Sequence, residues 1–280
     1  MQLLRHIFNF YINSSIHVAL AVFCLSCLTL IEFNIKYNEN ILLFIFFATI
    51  TGYNFVKYFG IAKFHHRRLT QKLKIIQVFS LICFVFLCYY AIKLNTNTIY
   101  FIAILGAVTF LYTIPFLPKK ILLDEAMNLR KISGLKIYVI AFVWSCVTVV
   151  LPLIDSGIAF DWNVIITGIQ RFIYVLVVML PFEIRDMGYD SIKLSTIPQQ
   201  IGIRNSKIIG VLLLMPFFFL EFFKDDISPI SITALLIVTV FMAIAVLLAK
   251  INQPEYYASF WVEGIPIVWL LISWIGITYL

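Results

Sequence analysis

The sequence predicts an all-α protein that crosses the membrane nine times as a helical bundle, and three observations support this. The chain of 280 residues is 62% hydrophobic and only 12% charged, a composition that soluble domains of this size do not have. Mainly apolar stretches of the ~20 residues needed to cross a ~30 Å hydrocarbon core recur along its length. The cationic residues are concentrated in alternate connections between these stretches. We therefore expect a single integral membrane domain over residues 1–280.

The predicted spans follow one another with alternating short and long connections. In chain order they are 12–33, 41–62, 74–93, 99–115, 137–155, 163–182, 207–223, 228–249 and 257–279. Short polar connections follow the first, third, fifth and seventh spans, whereas longer basic connections follow the second, fourth and sixth. Long loops on one face of a rigid scaffold are where function tends to concentrate.

The distribution of cations predicts the orientation in the membrane. With the N-terminus inside, 17 of the 21 Lys and Arg residues lie at the inner face. Only Lys36, Lys93 and Lys224 lie at the outer face, and Arg171 lies within the sixth span. Because basic loops stay in the cytoplasm, we expect a cytoplasmic N-terminus and an outer C-terminus, as in a bacterial inner membrane protein. The net charge of +7 then reflects topology and does not indicate nucleic-acid binding.

Three carboxylates cluster where the sixth span meets the inner face. Asp186 and Asp190 are i,i+4 neighbours on a helix, and Glu183 precedes Asp186 by three residues. Such like charges repel unless a divalent cation lies among them, and hard oxygen ligands suit Mg²⁺, which keeps open positions for phosphate oxygens. The segment therefore indicates a diphosphate and metal site. The alternative is a solvated helix beside Arg185 and Lys193.

Two segments carry a resemblance to a known family. Glu183-Ile-Arg-Asp186-x-x-x-Asp190, followed by Thr196-Ile-Pro198-x-x-Ile-Gly202, resembles the second aspartate-rich motif of the UbiA superfamily of intramembrane prenyltransferases. Tyr112-Thr-Ile-Pro115-Phe-Leu-Pro-Lys119 is similar to the exit of the family's fourth helix.

The resemblance implies a nine-helix bundle with a central cavity open to the cytoplasmic side. It also implies transfer of a prenyl group from a prenyl diphosphate to a lipophilic or aromatic acceptor. Glu183, Asp186 and Asp190 would bind Mg²⁺, with Asp186, Asp190 and Lys119 acting in catalysis. The family geometry further implies that the second and sixth spans are neighbours, with the Asn54 and Asp186 side chains facing one cavity near the cytoplasmic surface.

The chain departs from the family at the first motif, Asn-x-x-x-Asp-x-x-x-Asp, in the second span. Asn54 matches, but Tyr58 and Ala62 stand where two aspartates belong, so one metal position is expected to be missing. Lys57 follows Asn54 by three residues, and its ammonium could neutralise a diphosphate in place of the metal. Membrane anchoring is the alternative role for Lys57. The residues predicted to bind substrate are Asn54, Lys57, Arg185, Arg130 and Lys136.

Two ionisable residues within spans are further candidates, since such groups are costly in a membrane. We expect Arg171 to form an ion pair with Glu263 of the last span, or to line the acceptor pocket. Two other functions stay open. A degenerate family member could bind an isoprenoid or quinone-like lipid without catalysis, and a small-solute transporter could use Arg171 and Glu263 on its pathway.

Overall fold

The computed structural model describes residues 2–64, 71–113, 135–188 and 196–279, and all regular structure within these ranges is helical. The α-helices are α1 (Gln2–Asn13), α2 (Ile16–Glu32), α3 (Glu39–Phe64), α4 (Gln71–Ala91), α5 (Thr96–Thr113), α6 (Leu135–Ser145), α7 (Leu151–Asp155), α8 (Trp162–Asp186), α9 (Ile197–Phe219), α10 (Pro229–Leu248) and α11 (Ile265–Tyr279). Two π-helical segments, Cys146–Val150 and Tyr257–Val262, precede α7 and α11, and a 3₁₀ turn, Leu220–Phe223, follows α9.

The described helices confirm an integral, multi-pass membrane protein but do not confirm the number nine. Seven helical segments are long and apolar enough to cross a bilayer, and an eighth is added if α1 and α2, which meet at a 54° bend, count as one span. The predicted fourth span falls on α5, whose apolar part, Thr96–Leu111, is shorter than the others.

Helix α8, which carries the carboxylates of the predicted site, lies in the interior of the bundle. It packs against α6 and α9, while α2 packs against α3 and α11. Tyr174 of α8 and Phe217 of α9 are fully buried and their rings are in contact. Gly210 allows α9 to approach α8 closely, because a Cβ there would lie 2.7 Å from Leu180 Cδ1. The packing of α8 on both sides holds its two ends at fixed positions in the bundle.

Polar side chains fix the helix ends at the predicted outer face. The buried Asp155 carboxylate accepts hydrogen bonds from Asn38 Nδ2 at 2.9 Å and Thr98 Oγ1 at 3.0 Å, which joins three connections. Asp161 caps α8 by accepting a hydrogen bond from the Val164 N–H at 2.9 Å. The bonds to Asp155 satisfy polar groups where apolar helices end, and the Asp161 cap defines the start of α8.

Candidate functional site

A cavity of about 400 Å³ lies where α3 and α8 end, and we call it the Lys57 cavity. Its wall is formed by α1, the start of α2, α3, α8 and the segment around the π-helix Tyr257–Val262. Lys57 and Arg185, two of the predicted substrate-binding residues, both line it, together with Phe182 and Glu263. The structure therefore brings basic side chains from the two motif-bearing helices to one cavity.

The charged groups of the Lys57 cavity are mixed in sign. Glu263 is near enough to both Lys57 and Arg185 to interact with them electrostatically. Arg185 Nε also donates a 2.8 Å hydrogen bond to Asp186 Oδ1, and its guanidinium lies 5.3 Å from the centre of the Phe182 ring, within the range of a cation–π contact. The Arg185 and Asp186 side chains are 30% and 26% exposed, so this pair is accessible from the cavity end of the bundle.

The bend between α1 and α2 is held by Asn54 of α3. Ser15 has a φ of 64°, in the left-handed region, and its hydroxyl donates to Asn54 Oδ1 at 2.8 Å. Asn54 Nδ2 donates in turn to the Ser14 carbonyl at 3.0 Å and to Ser80 Oγ at 2.7 Å. Both amide hydrogens of this buried side chain are thus used within the protein. Asn54 fixes the helix break instead of contacting the Lys57 cavity.

The next turn of α3 continues the same contact with the bend. Tyr58 donates its hydroxyl hydrogen to the Asn13 carbonyl at 2.9 Å, and Lys57 Nζ donates to the same oxygen at 3.2 Å. The residue that replaces the first family aspartate is therefore a hydrogen-bond donor directed at a carbonyl. Position 58 has no free oxygen ligand to offer a metal ion, and the side chain of Ala62 lies outside the described side chains.

The prediction that Asn54 and Asp186 face one cavity is wrong, because neither residue lines the Lys57 cavity. Asn54 is turned towards Ser15 and Ser80. Asp186 follows Arg185 directly, and consecutive helical residues point about 100° apart, so only Arg185 faces the cavity. Helices α3 and α8, which were predicted to be neighbours, both line the Lys57 cavity.

Among the predicted metal ligands, Glu183 is buried at 2% exposure and Asp186 is paired with Arg185. Asp190, Lys119 and Arg130 lie outside the described residues. In the part of the chain that is described, no three His, Cys, Asp or Glu side chains form a group able to hold a metal ion. The described residues therefore do not form a site that fits Mg²⁺. At the first motif, the Tyr58 hydroxyl is bonded to a carbonyl and does not replace the carboxylate ligand.

Lys136, the remaining predicted substrate-binding residue, lies at the start of α6. It lines neither the Lys57 cavity nor the second cavity described next. Its contact with a substrate stays a prediction.

A second cavity, of about 460 Å³, lies at the opposite end of α8, and we call it the Arg171 cavity. Arg171 lines it, whereas Glu263 lines the Lys57 cavity, so the predicted ion pair between them is wrong. Arg171 precedes Arg185 by 14 residues, which is roughly 21 Å along a helix. Glu263 lies at the start of the last span, at the same end of the bundle as Arg185, and is therefore out of reach of Arg171.

Sequence reasoning missed two features of these cavities. One is Glu263 as the acidic neighbour of Lys57 and Arg185, although its place near the inner start of the last span could have indicated it. The other is the Asn13 carbonyl as a hydrogen-bond acceptor for α3, which depends on a bend that the pair Ser14-Ser15 only weakly signals.

The whole chain has the fold of UbiA-type membrane proteins. A digeranylgeranylglyceryl phosphate synthase structure matches with a TM-score of 0.57 and 15% identity over 100% of both chains. The apo structure of a UbiA homolog from Aeropyrum pernix K1 matches with a TM-score of 0.60 and 12% identity, over 96% of this chain and 97% of that one. No family model and no curated protein sequence matches the chain. At these identities the likeness establishes the fold.

Proposed function

We propose that this protein transfers a prenyl group from a prenyl diphosphate to a lipophilic or aromatic acceptor within the membrane. The observation that carries the proposal is the convergence of Lys57 and Arg185, from the two motif-bearing helices of a UbiA-type fold, on one cavity of about 400 Å³. A diphosphate needs fixed positive charge, and Arg185 can offer paired N–H donors where Lys57 offers a point charge.

The proposed reaction breaks the bond between the allylic carbon and the diphosphate oxygen. The diphosphate leaves with the electron pair, and Lys57 and Arg185 stabilise the charge that develops on it. The allylic carbon then bonds to the acceptor, which loses a proton. Phe182 and Tyr53 line the same cavity, and their ring faces are suited to stabilise an allylic cation while excluding water.

The proposed role of Mg²⁺ is confined to the second motif. Glu183, Asp186 and Asp190 stay the predicted ligands, and Lys119 and Arg130 stay predicted diphosphate contacts, all on the strength of the resemblance. Because the described residues do not form a metal-binding group, we derive no step of the reaction through the metal. Opening of the cavity to the cytoplasm, and nine spans in total, are likewise part of the proposal.

A second candidate function has a specific observation in its favour. Tyr58 and Lys57 are both bonded to the Asn13 carbonyl, so the first-motif position serves the fold of this chain. If the first-motif residues hold the helix bend and bind no metal ion, the protein could bind an isoprenoid or quinone-like lipid without catalysing a reaction on it. No described feature of the Lys57 cavity favours the small-solute transporter, since the pairing of Arg171 with Glu263 on which it rested is wrong.

The two candidates are separated by one assay on the full chain in detergent micelles. Geranyl, farnesyl and geranylgeranyl diphosphates are combined with aromatic and lipid acceptors, and released diphosphate and prenylated product are measured together. Product formation that falls at least tenfold in Arg185→Ala supports the enzyme. Saturable binding of the prenyl diphosphates with no product from any pair supports the non-catalytic binder, and absence of binding contradicts both.

A further inference from the structure

The Arg171 cavity has a polar wall built on one face of α8. Asn163, Thr167, Gln170 and Arg171 follow one another at i, i+4, i+7 and i+8, the spacing of a single helical face, and all line the cavity. Arg171 lies roughly 12 Å along the helix from Asn163, so this face carries polar groups deep into the bundle. Polar side chains along an otherwise apolar membrane span cost free energy, and such residues are therefore candidates for a functional role.

Three other charged groups of the cavity, Glu32, Glu221 and Lys224, are paired with one another. Lys224 donates to Glu221 Oε2 at 2.7 Å and to Glu32 Oε1. Gln170 Nε2 donates to the same Glu221 oxygen at 3.1 Å, and Thr167 Oγ1 donates to Glu32 Oε1 at 2.9 Å. This network leaves the two carboxylates with donors from Lys224, Gln170 and Thr167, and so fixes the wall in one arrangement.

Arg171 is the exception. It is 2% exposed, yet within the described chain its guanidinium donates no hydrogen bond and has no carboxylate within 4 Å, and Nη1 is fully buried without a partner. The ring centre of Trp269 lies 5.1 Å from the guanidinium, and Glu32 and Tyr174 are near enough to interact with it electrostatically. A buried guanidinium has five N–H donors, and leaving them unused costs free energy. Nη1 of Arg171 therefore lacks an acceptor within the described chain.

We propose that the Arg171 cavity binds an uncharged amphipathic lipid whose head presents carbonyl or phenolic oxygens to the Arg171 guanidinium. The charges of the wall decide against an anion. Arg171 and Lys224 are balanced by Glu32 and Glu221, and Asp226 at the exposed rim adds a further negative charge. A neutral oxygen acceptor satisfies Arg171 without creating a net negative charge in a site of low dielectric.

The rest of the cavity suits the apolar part of such a lipid. Leu28, Leu235 and Ile277 line it beside Trp269, and its volume lies within the ~300–1,000 Å³ of small-molecule sites. The cavity is at the opposite end of α8 from Arg185, so this ligand is distinct from a diphosphate in the Lys57 cavity. The proposal consequently does not depend on the proposed prenyl transfer.

The test uses three ligands with the same ten-carbon chain and different heads: decyl-1,4-benzoquinone, decylbenzene and decanoate. Each is titrated against the full chain in detergent micelles, and affinity is obtained from the shift of the thermal unfolding midpoint. We expect the quinone to bind at least tenfold more tightly than either other ligand. Arg171→Met should weaken quinone binding about 10- to 100-fold, the effect of losing a hydrogen bond to a charged group, without changing the affinity for decylbenzene.

Arg204→Met is the matched control, since it removes the same group from an exposed position of α9 that lines neither cavity, and it should leave quinone affinity within twofold. Arg171→Met removes no described hydrogen bond, but it leaves Glu32 and Glu221 balanced by Lys224 alone. Should it not fold, Ser231→Trp, which adds bulk to the cavity wall, is expected to abolish quinone binding. Equal affinity for quinone and decylbenzene, tighter binding of decanoate, or undiminished quinone binding by Arg171→Met or Ser231→Trp would overturn the proposal.

Discussion

The Tyr58 hydroxyl donates a 2.9 Å hydrogen bond to the carbonyl of Asn13, across the interface between α3 and the bend that separates α1 from α2. Tyr58, which stands where the UbiA first motif has an aspartate, is thus matched to an acceptor. An aspartate at position 58 is shorter and, when ionised, has no donor, so it would not make this bond. The loss of the first-motif aspartate is therefore tied to the shape of the N-terminal helices.

We predict that Tyr58→Asp lowers the stability of the protein more than Tyr58→Phe does. The phenylalanine variant loses one hydrogen bond and should cost about 0.5–1.5 kcal/mol. The aspartate variant loses the same hydrogen bond and the packing of the Tyr58 ring, and should cost on the order of 2–3 kcal/mol unless a metal ion binds. Thermal unfolding in detergent, with and without Mg²⁺, gives the comparison. An aspartate variant as stable as the natural protein without Mg²⁺ would contradict the assignment of Tyr58 to the bend.

We predict that Asn54→Ala destabilises the protein by about 2–4 kcal/mol, because it removes three hydrogen bonds and leaves buried groups of Ser14 and Ser15 without partners. Ser80→Ala is the control, since it removes only one of these bonds and should cost about 1 kcal/mol. Denaturation of both variants measures the difference. Equal effects of the two substitutions would show that Asn54 does not hold the bend.

The apolar runs predicted a multi-pass helical membrane protein, because crossing a bilayer demands long apolar segments with internally satisfied backbones, but they did not show the bend between α1 and α2. The carboxylate segment and its resemblance to a family also predicted the fold. The same resemblance led to Lys57 and Arg185 as predicted substrate-binding residues. These features depend on local sequence, which a single chain displays directly. The start of α9 is a similar case: Gln199 Oε1 accepts a hydrogen bond from the Thr196 N–H at 3.0 Å, as a helix-capping pattern requires.

The failures concern the direction and depth of side chains. Asn54 and Lys57 are three residues apart, so the sequence alone places both near the same helical face. Only Lys57 lines the cavity, because the Asn54 side chain is bonded to Ser15. The pairing of Arg171 with Glu263 failed because it requires the relative heights of α8 and the last span, which packing determines. The spacing of Asn163, Thr167, Gln170 and Arg171 was readable in sequence and would have shown a separate polar face.

We predict that Lys57→Ala and Arg185→Ala each weaken binding of a prenyl diphosphate about 10- to 100-fold, which corresponds to about 1.5–3 kcal/mol for a hydrogen bond to a charged group. Both side chains line the cavity in which the diphosphate is proposed to bind. Lys136→Ala removes an equivalent charge outside the cavity and should change the affinity by less than twofold. Binding of farnesyl diphosphate to the three variants measures this, and a larger effect at Lys136 than at Arg185 would place the diphosphate elsewhere.

We predict that Asp186→Asn abolishes the dependence of prenyl diphosphate binding on Mg²⁺. The Asp186 carboxylate is partly exposed and held by Arg185, so the amide should be accepted without loss of the fold. If Asp186 is a metal ligand, the natural protein gains affinity as Mg²⁺ is added and the variant does not. If Asp186 only neutralises Arg185, the variant instead binds the diphosphate more tightly at every Mg²⁺ concentration, because the guanidinium is released. Titration of both proteins with Mg²⁺ at a fixed concentration of farnesyl diphosphate separates the two roles. Asp225→Asn is the control. It changes an exposed acidic residue at the other end of the bundle and should leave the Mg²⁺ dependence unchanged.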